Sequence, residues 1–213
     1  MSETNLVLGS NGYHGDGFCE PDDDDGLHSI IRGTKLKFTN TAQWISAHGD
    51  VIEPSREFLA VEVRRVVQKW IDQKPVETHI LAPDEKPHVD ELNETAPKEE
   101  WRDRFGQEVG PWQFSNVVYL LDPATMAAFT FPTSTVGGFQ AVRTLKDETN
   151  RARLLRGDNY FPMVTLGDVH MPTAFGGRQR PAFIVKTFVL IGAAKRDSDA
   201  AMHDRAEMHD RIP

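Results

Sequence analysis

Aromatic and basic side chains recur together along this chain of 213 residues: Lys35, Lys37, Phe38 and Trp44; Arg64, Arg65, Lys69 and Trp70; and Phe175, Arg178 and Arg180, with the rings Trp112, Phe114 and Tyr119 between the last two groups. That mixture suits a single-stranded nucleic acid, whose bases stack on exposed rings at about 1–3 kcal/mol each while Lys and Arg follow the phosphates. The competing use of the same rings is core packing, the commoner fate of Trp and Phe in strands. Phe129, Phe131, Phe183 and Phe188 are assigned to the core. Trp70, between Lys69 and a polar stretch, and Trp112, after Gly110-Pro111, have the best claim to solvent.

The stretch Phe175-Gly176-Gly177-Arg178-Gln179-Arg180-Pro181 offers two guanidinium groups on a Gly-Gly stem, expected as the loop between the last two strands. Arg pairs bidentately with phosphate and stacks on bases, so this is the best phosphate contact in the sequence; a hairpin loop with solvated arginines is the alternative. Gly137-Gly138, after Thr133-Ser134-Thr135, opens a helix and leaves backbone N–H groups at its positive end. It lacks the Lys of a P-loop and the spacing of a dinucleotide-binding turn, and helix capping accounts for it.

His14, Asp16, Cys19, Asp22 to Asp25 and His28 are metal-ligand types, yet DDDDG lacks the alternating ligands and terminal Glu of an EF-hand. His203 and His209 are six apart and do not share a helical face. No metal or cofactor is expected. There is no GxSxG or HExxH, and His48, His79, His88 and His170 are scattered. No catalytic residue is assigned; a nuclease-type carboxylate site, whose ligands would converge only in three dimensions, is the enzymatic alternative.

These residues must be held by one domain with long polar attachments, because 39% apolar residues and a mean hydropathy of −0.46 are low for a fully packed chain of this length. No window approaches the roughly 18 apolar residues of a membrane span, and MSETNLVLGSNGYHGDG has neither a basic nor an apolar leader region. The single Cys19 excludes an intrachain disulfide. A cytoplasmic protein without membrane association is expected.

The net charge of −8 is unevenly spread. Residues 1–31 carry −7 and residues 84–108 carry −5, whereas the strand-like segments 32–83 and 109–192 together carry +5. A mildly basic body with acidic attachments can bind a polyanion selectively, the acidic runs competing for the groove or holding partner proteins; simple solubilisation is the alternative.

The organisation expected is an acidic flexible arm at 1–31, a β domain at 32–192 with an acidic insertion at 83–111, and a polar tail at 193–213. Thr34 to Ile45 reads as one Thr-rich aromatic strand, and Phe58 to Ile71 as a strand with a bulge at Arg64–Arg65, a helix competing. PVETHIL adds a short strand. The insertion loses periodicity apart from one helical turn around Lys98 to Arg104. Phe114 to Leu121 and Ala128 to Phe131 flank the turn Asp122-Pro123-Ala124-Thr125. A helix from about Val136 to Leu155, spaced by Phe139, Val142, Leu145, Thr149 or Ala152, and Leu155, should face the sheet through Phe139, Val142 and Leu145 and stop at Gly157, before strands PMVTLGDVHMPT and PAFIVKTFVLIG. In outline this is mainly β (α+β): an OB-like five-stranded Greek-key barrel with one helix before the last two strands, or alternatively an open antiparallel α+β sheet.

The runs VVYLLDPATMAAFTFPTSTVGGFQAV and YFPMVTLGDVHMPTAFGGRQRPAFIV, with the LNETAPKEEW segment, resemble a group of phage and prophage proteins of alphaproteobacteria to which no activity or catalytic residue is assigned. The likeness spans roughly residues 34–192 and is most specific in LDPAT, TFPTSTVGG and FGGRQRPAF; the acidic arm and the tail after Gly192 have no counterpart in it. It implies a phage or prophage setting. The terminal DRIP also resembles, in miniature, the acidic tips of bacterial single-stranded DNA-binding proteins, although Arg211 interrupts the acids and the terminal aromatic is absent. The sequence therefore points to an OB-type single-stranded DNA-binding protein of replication or recombination, contacting DNA through Lys35, Lys37, Trp44, Arg64, Arg65, Lys69, Trp70, Trp112, Phe175, Arg178 and Arg180. Replication or recombination proteins held by the acidic arms and further copies of the chain are the expected partners. A protein-interaction or virion-associated module is the structural alternative.

Overall fold

The central strand, β3 (Glu57–Ile71), owes its fifteen residues to a near-continuous run of Val, Phe, Leu and Trp interrupted by charges. The structure is a computed structural model that describes residues 30–104, 106–173 and 176–192. One side of β3 pairs antiparallel with β7 (Trp112–Leu121) from Leu59↔Leu121 to Lys69↔Trp112. The other side forks. Glu57 to Leu59 pair with β9 (Tyr160–Thr173), and Arg65 to Ile71 pair with β4 (Lys74–Leu81). Asp72 and Gln73, both at positive φ (48° and 64°), make the two-residue hairpin turn between β3 and β4. The register of β3 slips between Ala60 and Glu62 against β7 and between Lys69 and Trp70 against β4, not at Arg64–Arg65 as expected.

The hairpin of β7 with β8 (Ala128–Thr133) forms at the expected turn. Asp122 organises it: its Oδ1 accepts from the Ala124 N–H at 2.8 Å, and its Oδ2 from Arg56 Nε at 3.0 Å. The Arg56 guanidinium lowers the carboxyl pKa to about 2, outweighing the desolvation that would raise it.

Residues 34–45 are not one strand but β1 (Thr34–Phe38) and β2 (Trp44–Ser46) in an antiparallel hairpin. The Thr39 hydroxyl accepts from the Gln43 N–H at 3.1 Å, and such side-chain bonds to local backbone favour a turn over a ladder. β1 also pairs parallel with β8. The final hairpin joins β9 to β10 (Gly176–Leu190) from Gly176↔Thr173 to Leu190↔Tyr160, with one register shift between Val185 and Thr187. Gly176 to Arg180, expected as loop, are therefore strand. Gly177 permits this because a Cβ there would lie 2.1 Å from the His170 ring.

The sheet order is β10-β9-β3-β7-β8-β1-β2, with β4 also on β3. The domain is mainly β, as expected, and curls into a half-barrel, but its sheet has eight strands rather than five. The parallel β1–β8 pair makes it mixed rather than purely antiparallel.

The helix precedes the last two strands and runs Val136–Arg156. Called α2, it is capped by Thr135, whose Oγ1 accepts from the Gly138 N–H at 3.1 Å, and it ends at Gly157 at φ 100°. Ala141, Val142, Leu145 and Ala152 are buried and Phe139 is half-buried. Ala152 continues the buried stripe, whereas Leu155, which the helical spacing included, is 84% exposed. Ten residues past Leu145 a helix falls about 80° short of a whole turn, which carries Leu155 off the buried stripe.

α2 closes the inner core on the concave side of the sheet, with Leu36, Phe58, Val118, Leu120, Phe129, Phe131, Leu166 and Phe183. Trp44 lies in this core, against Phe38, Phe131 and Phe183 at centroid distances of 5.4, 4.7 and 5.6 Å. Its Nε1–H donates to the Gly167 carbonyl at 2.7 Å. Trp44 belongs to one end of the strand order and Gly167 and Phe183 to the other, so the curl brings both ends into one core. On the opposite face Ile30, Val66, Val117 and Tyr119 form a second cluster, and the Tyr119 hydroxyl donates to the Ile30 carbonyl at 2.8 Å.

The insertion is more ordered than its sequence suggests. It holds α1 (Val89–Thr95), a 3-10 turn (Lys98–Glu100), and a ladder of β5 (Arg102–Arg104) with β6 (Gln107–Val109). Asn93 docks α1 on β7 by pairing with the Trp112 backbone, N–H to Oδ1 at 2.9 Å and Nδ2 to O at 3.1 Å. The helical turn expected around Lys98 to Arg104 is only the 3-10 turn, Arg102–Arg104 being strand, and α1 buries no residue, so it had no apolar period to read.

Candidate nucleic-acid interface

Period-two alternation places Arg65, Val67 and Lys69 of β3 on one face, opposite Asn116, Phe114 and Trp112 of β7. The first half of α2 stands beside this face. Between them is a cleft of about 450 Å³ lined by Arg65, Phe114, Asn116, Phe139, Val142, Arg143, Lys146, Asp147 and Asn150. The Phe114 and Phe139 rings, both half-buried, meet at 5.5 Å between centroids with planes 40° apart. Arg65 lies over Phe114 at 5.7 Å and is anchored there by its Nη1, which donates to the Ala82 and Pro83 carbonyls at 3.1 and 2.8 Å. Arg143 approaches Asp147 at 3.9 Å, but both side chains are largely exposed and such a pair contributes little. Lys146 has no acidic partner among the described residues. Asn116 is 9% exposed, and its carboxamide makes no hydrogen bond among the described residues.

The expected contact residues are dispersed. Arg65, Lys69 and Trp112 share the cleft's sheet face. Lys69 Nζ is held by the Glu100 carboxylate at 2.8 Å, and Trp112 is buried against His79, rings 5.1 Å apart, rather than exposed. Arg64 and Trp70 lie on the opposite face. Arg64 Nε donates to Glu62 at 2.6 Å and its guanidinium covers Tyr119 at 5.6 Å; Trp70 is half-buried with its Nε1 enclosed. Trp44 is a core residue, which removes it as a stacking ring. Lys35 and Lys37 flank the buried Leu36 and face away from that core. Arg178 and Arg180 stand on β10 rather than on a flexible loop, and Arg180 lines a smaller hollow of about 270 Å³ with Ala141, Thr144 and Glu148 of α2. Phe175 lies outside the described residues, as do the acidic arm before Ile30, with its candidate ligands, and the tail.

Sequence reasoning missed Phe139, Arg143, Lys146 and Asn150. Together with Arg153 they fall at i, i+4, i+7, i+11 and i+14, one stripe of a helix whose limits were legible, so plotting its polar residues would have found them. The stripe ends in a second aromatic and basic cluster. Arg153 covers Phe161 at 5.0 Å, and Arg156 lies 5.8 Å from the Tyr160 ring and 6.0 Å from that of Phe188, which is half-buried rather than core.

This arrangement can stack a planar ring, pair with a polar edge and neutralise phosphate. Asp147 is the one carboxylate among the residues lining the cleft, and the described residues hold no group of three or more His, Cys, Asp or Glu able to bind a metal. No helix among them is long and apolar enough to cross a membrane. Comparison with protein-family models, curated proteins and solved structures finds no match.

Proposed function

We propose that the protein binds single-stranded DNA in replication or recombination, in a phage or prophage setting within the host cytoplasm. The observation that carries this reading is the cleft between α2 and β7, where a half-buried pair of phenyl rings is flanked by Arg65, Arg143 and Lys146. Rings supply sequence-tolerant stacking and cations follow the backbone, which is the division of labour a single strand requires. In this reading the curled sheet is an OB-like groove enlarged by β1, β2 and β10. The acidic segments compete with the strand and hold replication or recombination proteins, and copies of the chain assemble along the DNA.

Fluorescence anisotropy with a labelled single strand of about 30 bases and the matching duplex tests it. The single strand should bind more tightly, with affinity falling as salt rises. Arg143→Ala with Lys146→Ala should lower the slope of log K against log salt by roughly 1.4, about 0.7 for each phosphate no longer neutralised. Absence of binding at about 50 mM salt refutes the reading. The protein-interaction module would then be the better account, favoured by Ile184, Leu190 and Ile191, which stand 43%, 47% and 38% exposed on and after β10 at the sheet edge.

A further inference from the structure

We infer that the cleft is a pocket for one unpaired nucleotide and that Asn116 reads its base, selecting adenine. The inference rests on the strand-binding reading for the source of that nucleotide, and it adds a base preference that stacking and charge alone do not supply.

Asn116 is held on both sides by the ladder, opposite Arg65 on β3 and Thr133 on β8, so its side chain is fixed at the cleft floor. Neither neighbour engages it. Thr133 Oγ1 is taken by Thr135, and Arg65 Nη1 by the Ala82 and Pro83 carbonyls. Asn116 is only 9% exposed as a residue, yet its carboxamide is not among the enclosed polar atoms; it opens to the cleft without a hydrogen bond among the described residues, a donor and acceptor pair free to meet a ligand's polar edge.

The surroundings define that ligand. Phe114 precedes Asn116 by two residues on the same strand face, a separation of about 7 Å. A purine stacked over Phe114 with its long axis along β7 brings its edge to the carboxamide, whereas a pyrimidine is shorter and stacks less. An asparagine amide presents one acceptor beside one donor, which matches the N6 amino group and N7 of adenine; guanine offers two acceptors on that edge. Arg143 and Lys146 at the rim supply cations for the 5′ phosphate, and the volume of about 450 Å³ lies within the range of small-ligand sites.

The test uses the full chain and two kinds of probe. AMP, GMP, CMP and UMP are titrated by calorimetry and by NMR, following the side-chain amide signals, and single strands of dA or dT are titrated by anisotropy. AMP should bind about tenfold or more tighter than UMP, as expected of one bidentate base contact, and should shift the Asn116 amide resonances. Asn116→Leu should erase that preference. Asn116→Asp, which keeps the shape but removes the donor, should do the same and serves if the Leu variant does not fold. Lys146→Ala should weaken all four nucleotides alike. Equal affinity for the four nucleotides, or a preference that survives both Asn116 variants, overturns the inference. Strands that bind without base preference leave the strand reading standing and overturn the pocket; AMP binding without strand binding does the reverse; binding of neither overturns both.

Discussion

Replacing Trp44 by Phe separates the two roles its sequence context allows, because a stacking ring would tolerate the exchange and the core would not. Trp44 is 4% exposed, touches three phenyl rings and donates to Gly167 at 2.7 Å. The Phe variant keeps a ring but withdraws a buried donor from a carbonyl, a loss of about 1–3 kcal/mol before any cavity is counted. Trp44→Ala removes the whole side chain, and about 3–5 kcal/mol is expected for a buried aromatic. Domains of this kind are stable by about 5–15 kcal/mol, so the Phe variant remains folded and is the informative one. Urea unfolding should show a lower midpoint at unchanged slope, while the variant's affinity for a single strand and its salt dependence stay those of the parent. A Phe variant of parental stability whose strand affinity falls by about 1–3 kcal/mol would place the indole on a binding surface and refute the core assignment.

Trp70→Ala, on the face opposite the cleft, should leave single-strand affinity unchanged in anisotropy; a loss would mean that the strand runs over the other face of β3. Leu145→Ala, which empties a fully buried position of α2, should destabilise by about 2–5 kcal/mol in urea unfolding, and a loss below 1 kcal/mol would detach α2 from the core. Asp122, with its pKa lowered from 3.8 to about 2, contributes stability that is complete above its unfolded value and is lost as pH falls from about 4 to 2. Asp122→Asn should therefore be less stable at neutral pH, and the gap to the parent should close across that window when ellipticity is followed at fixed urea; a constant gap would show that Arg56 does not select the ionised form.

Features that depend on a few neighbouring residues were legible. Asp122-Pro123 announced its hairpin because the carboxylate binds the backbone two residues on. Thr135, the apolar spacing of Phe139, Val142 and Leu145, and Gly157 announced α2, since a helix makes its hydrogen bonds within its own segment. The β1–β2 hairpin and α1 were not legible. The turn between the former uses side chains that fit a strand equally well, and α1 buries nothing.

The sequence by itself determined the mainly β character, the place of the long helix, and the supply of aromatic rings and cations. Only the tertiary structure decided which of them share a face. A strand's side chains alternate with period two, so a slip of one residue exchanges its faces. The irregularity between Ala60 and Glu62 does this: Phe58 and Ala60 face the inner core, and beyond it Val63, Arg65 and Val67 face that side instead of Glu62, Arg64 and Val66. A bulge belongs to a pair of strands, and its position depends on β7, whose Leu120 pairs with Ala60 and whose Tyr119 pairs with Glu62 from far along the chain. The same holds for Trp44 and Asn116. A local segment cannot distinguish a tryptophan that pins the far end of a curled sheet from one that stacks a base. Nor can it show that an amide opens to a cleft while its ladder neighbours bond elsewhere, because those neighbours are chosen by strand order and curl.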